Sequence, residues 1–249
     1  MSATSVTPRG AVTSILLCLA STLTVACAEP EVEYRTRTQF FEVLVYPDAA
    51  VLPCTGEYDA IDRLVTTLRA EFELPLPSDR TDLHLWAFDD EGYPCTWWSG
   101  GCFRTPPGEV HVRSPSSLYH EVVHFALYTN EEGFFSEGLA EAHAARITPM
   151  ANPGFDPRTR FELTDQDVSR FEAAVFTNFM IERFGAVTTG AAFRDAARDG
   201  VGGLSKSTGM SVDEIAEAFM AEPLVCSTQT FWCAGEADAF VGTWQFEDT

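Results

Sequence analysis

The chemistry in this chain is concentrated at His120-Glu121-Val122-Val123-His124. On a helix, residues four apart lie on one face, one turn above the other, so both imidazoles can reach a single metal ion. Glu121 sits about 100° round from His120, beside that ion, where a carboxylate can serve as a base. Glu137 and Glu141 follow within Ser136-Glu137-Gly138-Leu139-Ala140-Glu141, again four apart. Two histidines and one glutamate form a ligand set that leaves a fourth position open for water, as catalytic zinc sites do. One Zn²⁺ ion is therefore expected on His120, His124 and Glu137. Glu141 is left to accept the free N–H of a ligand histidine and so fix its tautomer.

These residues need two adjacent helices and a support. Leu118, Val122 and Phe125 form an apolar stripe through the H-E-x-x-H segment, so a helix is predicted over 116–129, with Ser114 as N-cap and Pro115 in the first turn. Further helices are predicted at 57–72, 134–147, 166–184, 188–199 and 211–221. Gly185 and Arg183 mark a stop, and Ser211 with Glu214 forms a capping box. Strands are predicted at 39–46, 83–88 and 109–113, and residues 91–108 read as a Gly-, Pro- and Trp-rich loop. Strands followed by helices make an α+β domain: a small N-terminal mixed sheet, an edge strand before the motif helix, then a mostly helical C-terminal half. Phe171, Phe176, Phe179 and Phe184 are expected in the core.

The H-E-x-x-H and S-E-G-L-A-E segments together resemble the gluzincin group of zinc metallopeptidases, thermolysin-like in ligand pattern, and above all its small bacterial peptidase MA-like members. The likeness carried by motifs covers about residues 109–221. It implies a zincin-like fold, ligands at His120, His124 and Glu137, a general base at Glu121 and an outer carboxylate at Glu141. It implies a peptidase, most simply an endopeptidase, acting on peptide or protein substrates. In that group the strand before the motif helix pairs with extended substrate, which here means Val110, His111 and Val112. Arg170 to Gly185 is similar to the helix that follows in those peptidases. Many of them carry an oxyanion-binding tyrosine near its start; Arg170 stands about there, and an arginine can stabilise an oxyanion. A metzincin pattern is excluded, because Leu127 and Asn130 occupy the places of its glycine and third histidine.

Residues 1–27 read as an export signal, with Arg9 ahead of an apolar stretch from Ala11 to Ala26 that is shorter than a membrane span. Two cleavage readings stand: an A-x-A site before Glu29, or a lipoprotein signal that makes Cys27 the lipidated first residue. Residues 28–37 read as a polar tether and 38–249 as one domain. An exported protein, free or held to the bacterial envelope only by an N-terminal lipid, is expected, and a monomer. Cys54, Cys95, Cys102, Cys226 and Cys233 would then meet oxidising conditions. Cys95–Cys102 and Cys226–Cys233 could close local disulfides, or Cys54 could take one of the four, with one thiol left over. The formal net charge of -21, from 16 Lys+Arg against 37 Asp+Glu, disfavours nucleic acid and anionic lipid as partners. His84 and His111 read as polar-face strand residues and His143 as a surface or packing residue. Trp97 and Trp98 could line a groove or plug the core. The rival reading from another class is a non-catalytic zinc-binding envelope lipoprotein that keeps the fold without turnover.

Overall fold

Strand structure begins inside the segment expected to be a tether. Tyr34–Arg37 (β1) pairs antiparallel with Phe41–Val45 (β2). The polar composition of β1 reflects its place at a sheet edge, where Arg37 donates to Glu42 across the pair. The computed structural model describes residues 31–95, 99–106, 108–129, 133–144, 155–163 and 168–221. The export signal, Cys27, Trp97, Trp98, Cys226 and Cys233 lie outside the described residues.

From β2 the chain crosses through helix α1 (Thr55–Glu71) to β3 (Thr81–Leu85), parallel to β2. Next come β4 (Gly101–Arg104) and β5 (Glu109–Val112), antiparallel to each other, with β5 parallel to β3. The sheet order is β1-β2-β3-β5-β4. This corrects one expectation. The strand before the motif helix, with Val110, His111 and Val112, is paired on both sides and interior. The edge on that side is β4, which the sequence hides in a glycine-rich loop: four residues, one of them glycine, show too little alternation to read as a strand.

Phe41, Val43, Val45, Leu83, Leu85, Val110 and Val112 alternate onto one sheet face and are buried there with Ile61, Val65 and Leu68 of α1. The motif helix α2 (Leu118–Leu127) follows a 3-10 turn at Pro115–Ser117 and adds Leu118, Val122 and Phe125 to the same core. Ser114 precedes that turn, and its hydroxyl meets Ser116 rather than capping the helix. Tyr128, left-handed at φ 52°, ends α2.

The helical half continues with α3 (Phe134–His143), α4 (Arg170–Phe184), α5 (Ala186–Asp199), α6 (Gly203–Thr208) and α7 (Val212–Ala221). Gly185, at φ 81°, stops α4. The Ser211–Glu214 capping box forms in both directions. Phe176 is fully buried at the hub of an aromatic cluster, with Phe134, Phe161 and Phe219 centroids at 5.7, 5.2 and 5.4 Å. Each such ring pair adds about 0.5–1.5 kcal/mol beyond its burial, which ties together α3, α4 and α7. Phe179 is buried too, while Phe171 and Phe184 pack on the core from partly exposed positions. Cys95 and Cys102 form a disulfide, and Cys54 is an exposed free thiol. Among the described residues no helix is long and apolar enough to cross a membrane.

Candidate metal centre

Helices α2 and α3 meet so that His120, His124 and Glu137, all buried, turn their polar atoms to one point. The two Nε2 atoms lie 3.1 Å apart. Glu137 Oε2 is 3.3 Å from His120 Nε2, and Oε1 is 3.3 Å from His124 Nε2. Donors bonded at 2.0–2.1 Å to one tetrahedral ion stand about 3.3 Å from each other. The three side chains therefore fit a metal ion closely. Glu137 Oε2 is buried, with charged neighbours at 3.0 and 3.3 Å but no well-aligned hydrogen bond.

The far sides of the ligands are held as well. His120 Nδ1 lies 2.9 Å from Glu141 Oε2, where Nδ1–H donates to the carboxylate. His124 Nδ1 lies 3.0 Å from Thr129 Oγ1 and 3.3 Å from Ser136 Oγ. The Ser136 hydroxyl donates to the Thr129 carbonyl, so toward His124 its oxygen can only accept. A His124 proton on Nδ1 satisfies that contact and is the tautomer that would leave the Nε2 lone pair for an ion. Thr129 and Ser136 escaped the sequence reading. Ser136 stands beside Glu137 in the motif, and its adjacency was the available signal.

The carboxylates around His120 favour positive charge at the centre of this group. Burial opposes charge on His120, but hydrogen bonds to Glu137 and Glu141 outweigh it and push its pKa up to about 9. Burial likewise opposes charge on Glu137, yet the bonds to both histidines win and hold that carboxyl well below its usual range. The His120 contact also keeps Glu141 low.

Two glycines set the positions. Glu121 is buried against β4. A Cβ built on Gly101 would lie 2.5 Å from Glu121 Cγ and 2.9 Å from Oε1, so only glycine admits the carboxyl there. Burial raises the Glu121 pKa, with both histidines pulling against it. A Cβ on Gly138 would meet Thr177 Oγ1 at 2.4 Å and the Ala173 carbonyl oxygen at 2.7 Å. The glycine of S-E-G-L-A-E thus lets α3 lie directly on the α4 backbone. That approach brings Arg170, at the start of α4, to Glu137: its Nε is 3.0 Å from Oε2. Arg170 therefore holds the Glu137 carboxylate through its Nε, while its side chain stays half exposed.

Val110 and Val112 face the core from interior β5, while His111 faces the opposite side of the sheet. The ring of His143 packs edge-on against Phe72, as a packing residue would. No protein-family model matches the chain, and no curated protein is significantly similar to it.

Proposed function

We propose that this protein is an exported zinc-dependent metallopeptidase of gluzincin type. The observation that supports the reading best is the trio of donor separations, 3.1, 3.3 and 3.3 Å, beside a buried carboxylate that is not itself a ligand. A purely structural site has no use for that extra acid. When bound, zinc supplies Lewis-acid polarisation of a carbonyl and an acidified water. His120, His124 and Glu137 would hold it. Glu121 accepts a proton on its carboxylate and returns it to the leaving amine; its raised pKa suits a group that must do both. Arg170 steadies Glu137. An extended peptide adds to the outer edge of β4, the strand beside Glu121.

One observation favours the non-catalytic envelope lipoprotein instead. Arg170, in the place of the oxyanion-binding tyrosine, has its Nε committed to Glu137. Zinc content measured together with chelator-sensitive cleavage of a mixed peptide library separates the two. Zinc with cleavage supports the peptidase, and zinc without any cleavage overturns it.

A further inference from the structure

The sheet face turned away from α2 carries a second group of ligand-type residues, His84, Glu109 and His111. His84 on β3 and His111 on β5 are register partners, and Asp82 pairs with Glu109 one pleat along. Both histidines are buried, covered on one side by Tyr46 and Trp86. Their rings stack with centroids 4.4 Å apart. Each of the three side chains offers a ligand atom, and these atoms lie within 4.8 Å of one another.

From this face we infer a second divalent-metal site, formed by His84, His111 and Glu109, for a borderline transition-metal ion of the Zn²⁺ class. Two imidazoles and one carboxylate are the donors such ions select. His111 Nε2 and Glu109 Oε2 already stand 3.2 Å apart, close to the edge of a tetrahedral site. His84 supplies a separate observation. Its Nδ1 is taken by the Tyr46 hydroxyl at 2.8 Å, and its Nε2 is buried with no hydrogen-bond partner. An unpaired buried nitrogen is destabilising, and a metal bond would relieve that cost. Burial holds both imidazoles down at about 4, so both are neutral and ligand-ready at pH 7. The Glu109 side chain is 28% exposed and gives an ion its approach.

Three features oppose binding and shape the test. Trp86 Nε1–H donates to His111 Nδ1 at 3.2 Å, so neutral His111 carries its proton on Nε2. Ligation moves that proton to Nδ1 and gives up the indole bond. The stacked rings must also pivot until their nitrogens are about 3.3 Å apart. Arg104, the register partner of Glu109 on β4, places a positive charge near His111 that opposes a cation there. Trp86 is therefore the reporter as well as the obstacle.

The experiment is equilibrium dialysis of the full chain against Zn²⁺, with tryptophan emission followed in parallel. A His120→Ala/His124→Ala variant removes the first cluster, and it should keep one ion per chain with a saturable emission change. Adding His84→Gln should abolish both signals. Adding Glu109→Gln, which keeps an acceptor for His111 and preserves volume, should weaken binding at least tenfold with the circular dichroism spectrum unchanged. No ion in the double variant, or one ion indifferent to both His84→Gln and Glu109→Gln, overturns the inference. The measurement does not depend on the peptidase reading, since the first cluster is already disabled.

Discussion

Gly101→Ala is the sharpest perturbation of the proposed catalytic arrangement, because it adds one methyl group between β4 and Glu121. The new Cβ would stand 2.5 Å from Glu121 Cγ and 2.9 Å from both Glu121 Oε1 and the His111 carbonyl oxygen. Ordinary contact begins at 3.4 Å, so relief requires a shift of about 3.4 − 2.5, or 0.9 Å, in the carboxyl or in β4. Overpacking of this kind costs about 1–3 kcal/mol. For a domain of this size, each kcal/mol lowers Tm by about 2–4 °C, so the melt should fall by about 2–12 °C. A catalytic group misplaced by about 1 Å loses on the order of 10²-fold in rate. Zinc content should not change, because the three ligands lie on α2 and α3. The control is Gly56→Ala, in α1, where nothing lies within 4 Å of the added Cβ; it should be neutral or stabilising by up to about 1 kcal/mol. The assays are calorimetry, zinc content and kcat on a peptide substrate. A Gly101→Ala protein with wild-type Tm and kcat would refute the placement of Glu121 against β4.

Three further outcomes follow from the same geometry. Glu121→Gln should keep zinc and lose hydrolysis by at least 10²-fold; full activity would remove Glu121 as the base. Zinc binding at pH 7.5 should release about one proton, because His120 is held protonated up to about 9 and a ligand imidazole must be neutral; titration calorimetry in buffers of different ionisation enthalpy measures this, and a buffer-independent heat would contradict it. Stability of the metal-free protein should fall with acid through His84 and His111. Burial holds both at about 4 against an ordinary 6.5, so the unfolded chain binds protons first. Their contribution is complete above pH 6.5 and is lost as pH drops toward 4, by up to roughly 3 kcal/mol per ring. Urea midpoints at pH 7, 5.5 and 4.5 with chelator should decline more steeply in the wild type than in His84→Gln, and parallel profiles would falsify the assignment.

The candidate metal site was legible because its spacing is intrinsic to a helix. His120 with His124, and Glu137 with Glu141, need only four-residue periodicity to share a face. The Ser211–Glu214 cap and the stop at Gly185 were legible for the same local reason. What escaped depends on partners distant in sequence. β4 is four residues long, and its pairing with β5 across Thr105–Gly108 decides which strand is the edge. β1 is polar because only one side of it is paired. His84 and His111 looked like polar-face residues because alternation shows which face a strand residue takes, and not what covers that face. Here Tyr46 and Trp86 cover it. The role of Gly101 was invisible for the same reason: nothing nearby in sequence shows that the Glu121 carboxyl comes to rest on it.

Alternation also explains the placement of the disulfide. Gly101 pairs with Val112, whose side chain is in the core, so Gly101 faces α2; Cys102 pairs with His111 and faces the other way. The bond from Cys102 to Cys95 can therefore pin β4 from behind, against the cluster of Leu44, Tyr46, Trp86 and Tyr93, without entering the space beside Glu121. A slip of one residue in β4 would reverse both faces and set a cysteine where the carboxyl sits. The tie spans a sequence separation of 7, and chain entropy for so short a loop is worth about 2.5 kcal/mol. Cys95→Ser/Cys102→Ser should thus lower Tm by about 5–10 °C and leave zinc on His120, His124 and Glu137. Cleavage should fall further than zinc content does, because the strand beside Glu121 is loosened while the ligand helices are not. Equal loss of zinc and of cleavage would show that β4 supports the ligands rather than the base, and an unchanged melt would show that pairing to β5 alone fixes the strand.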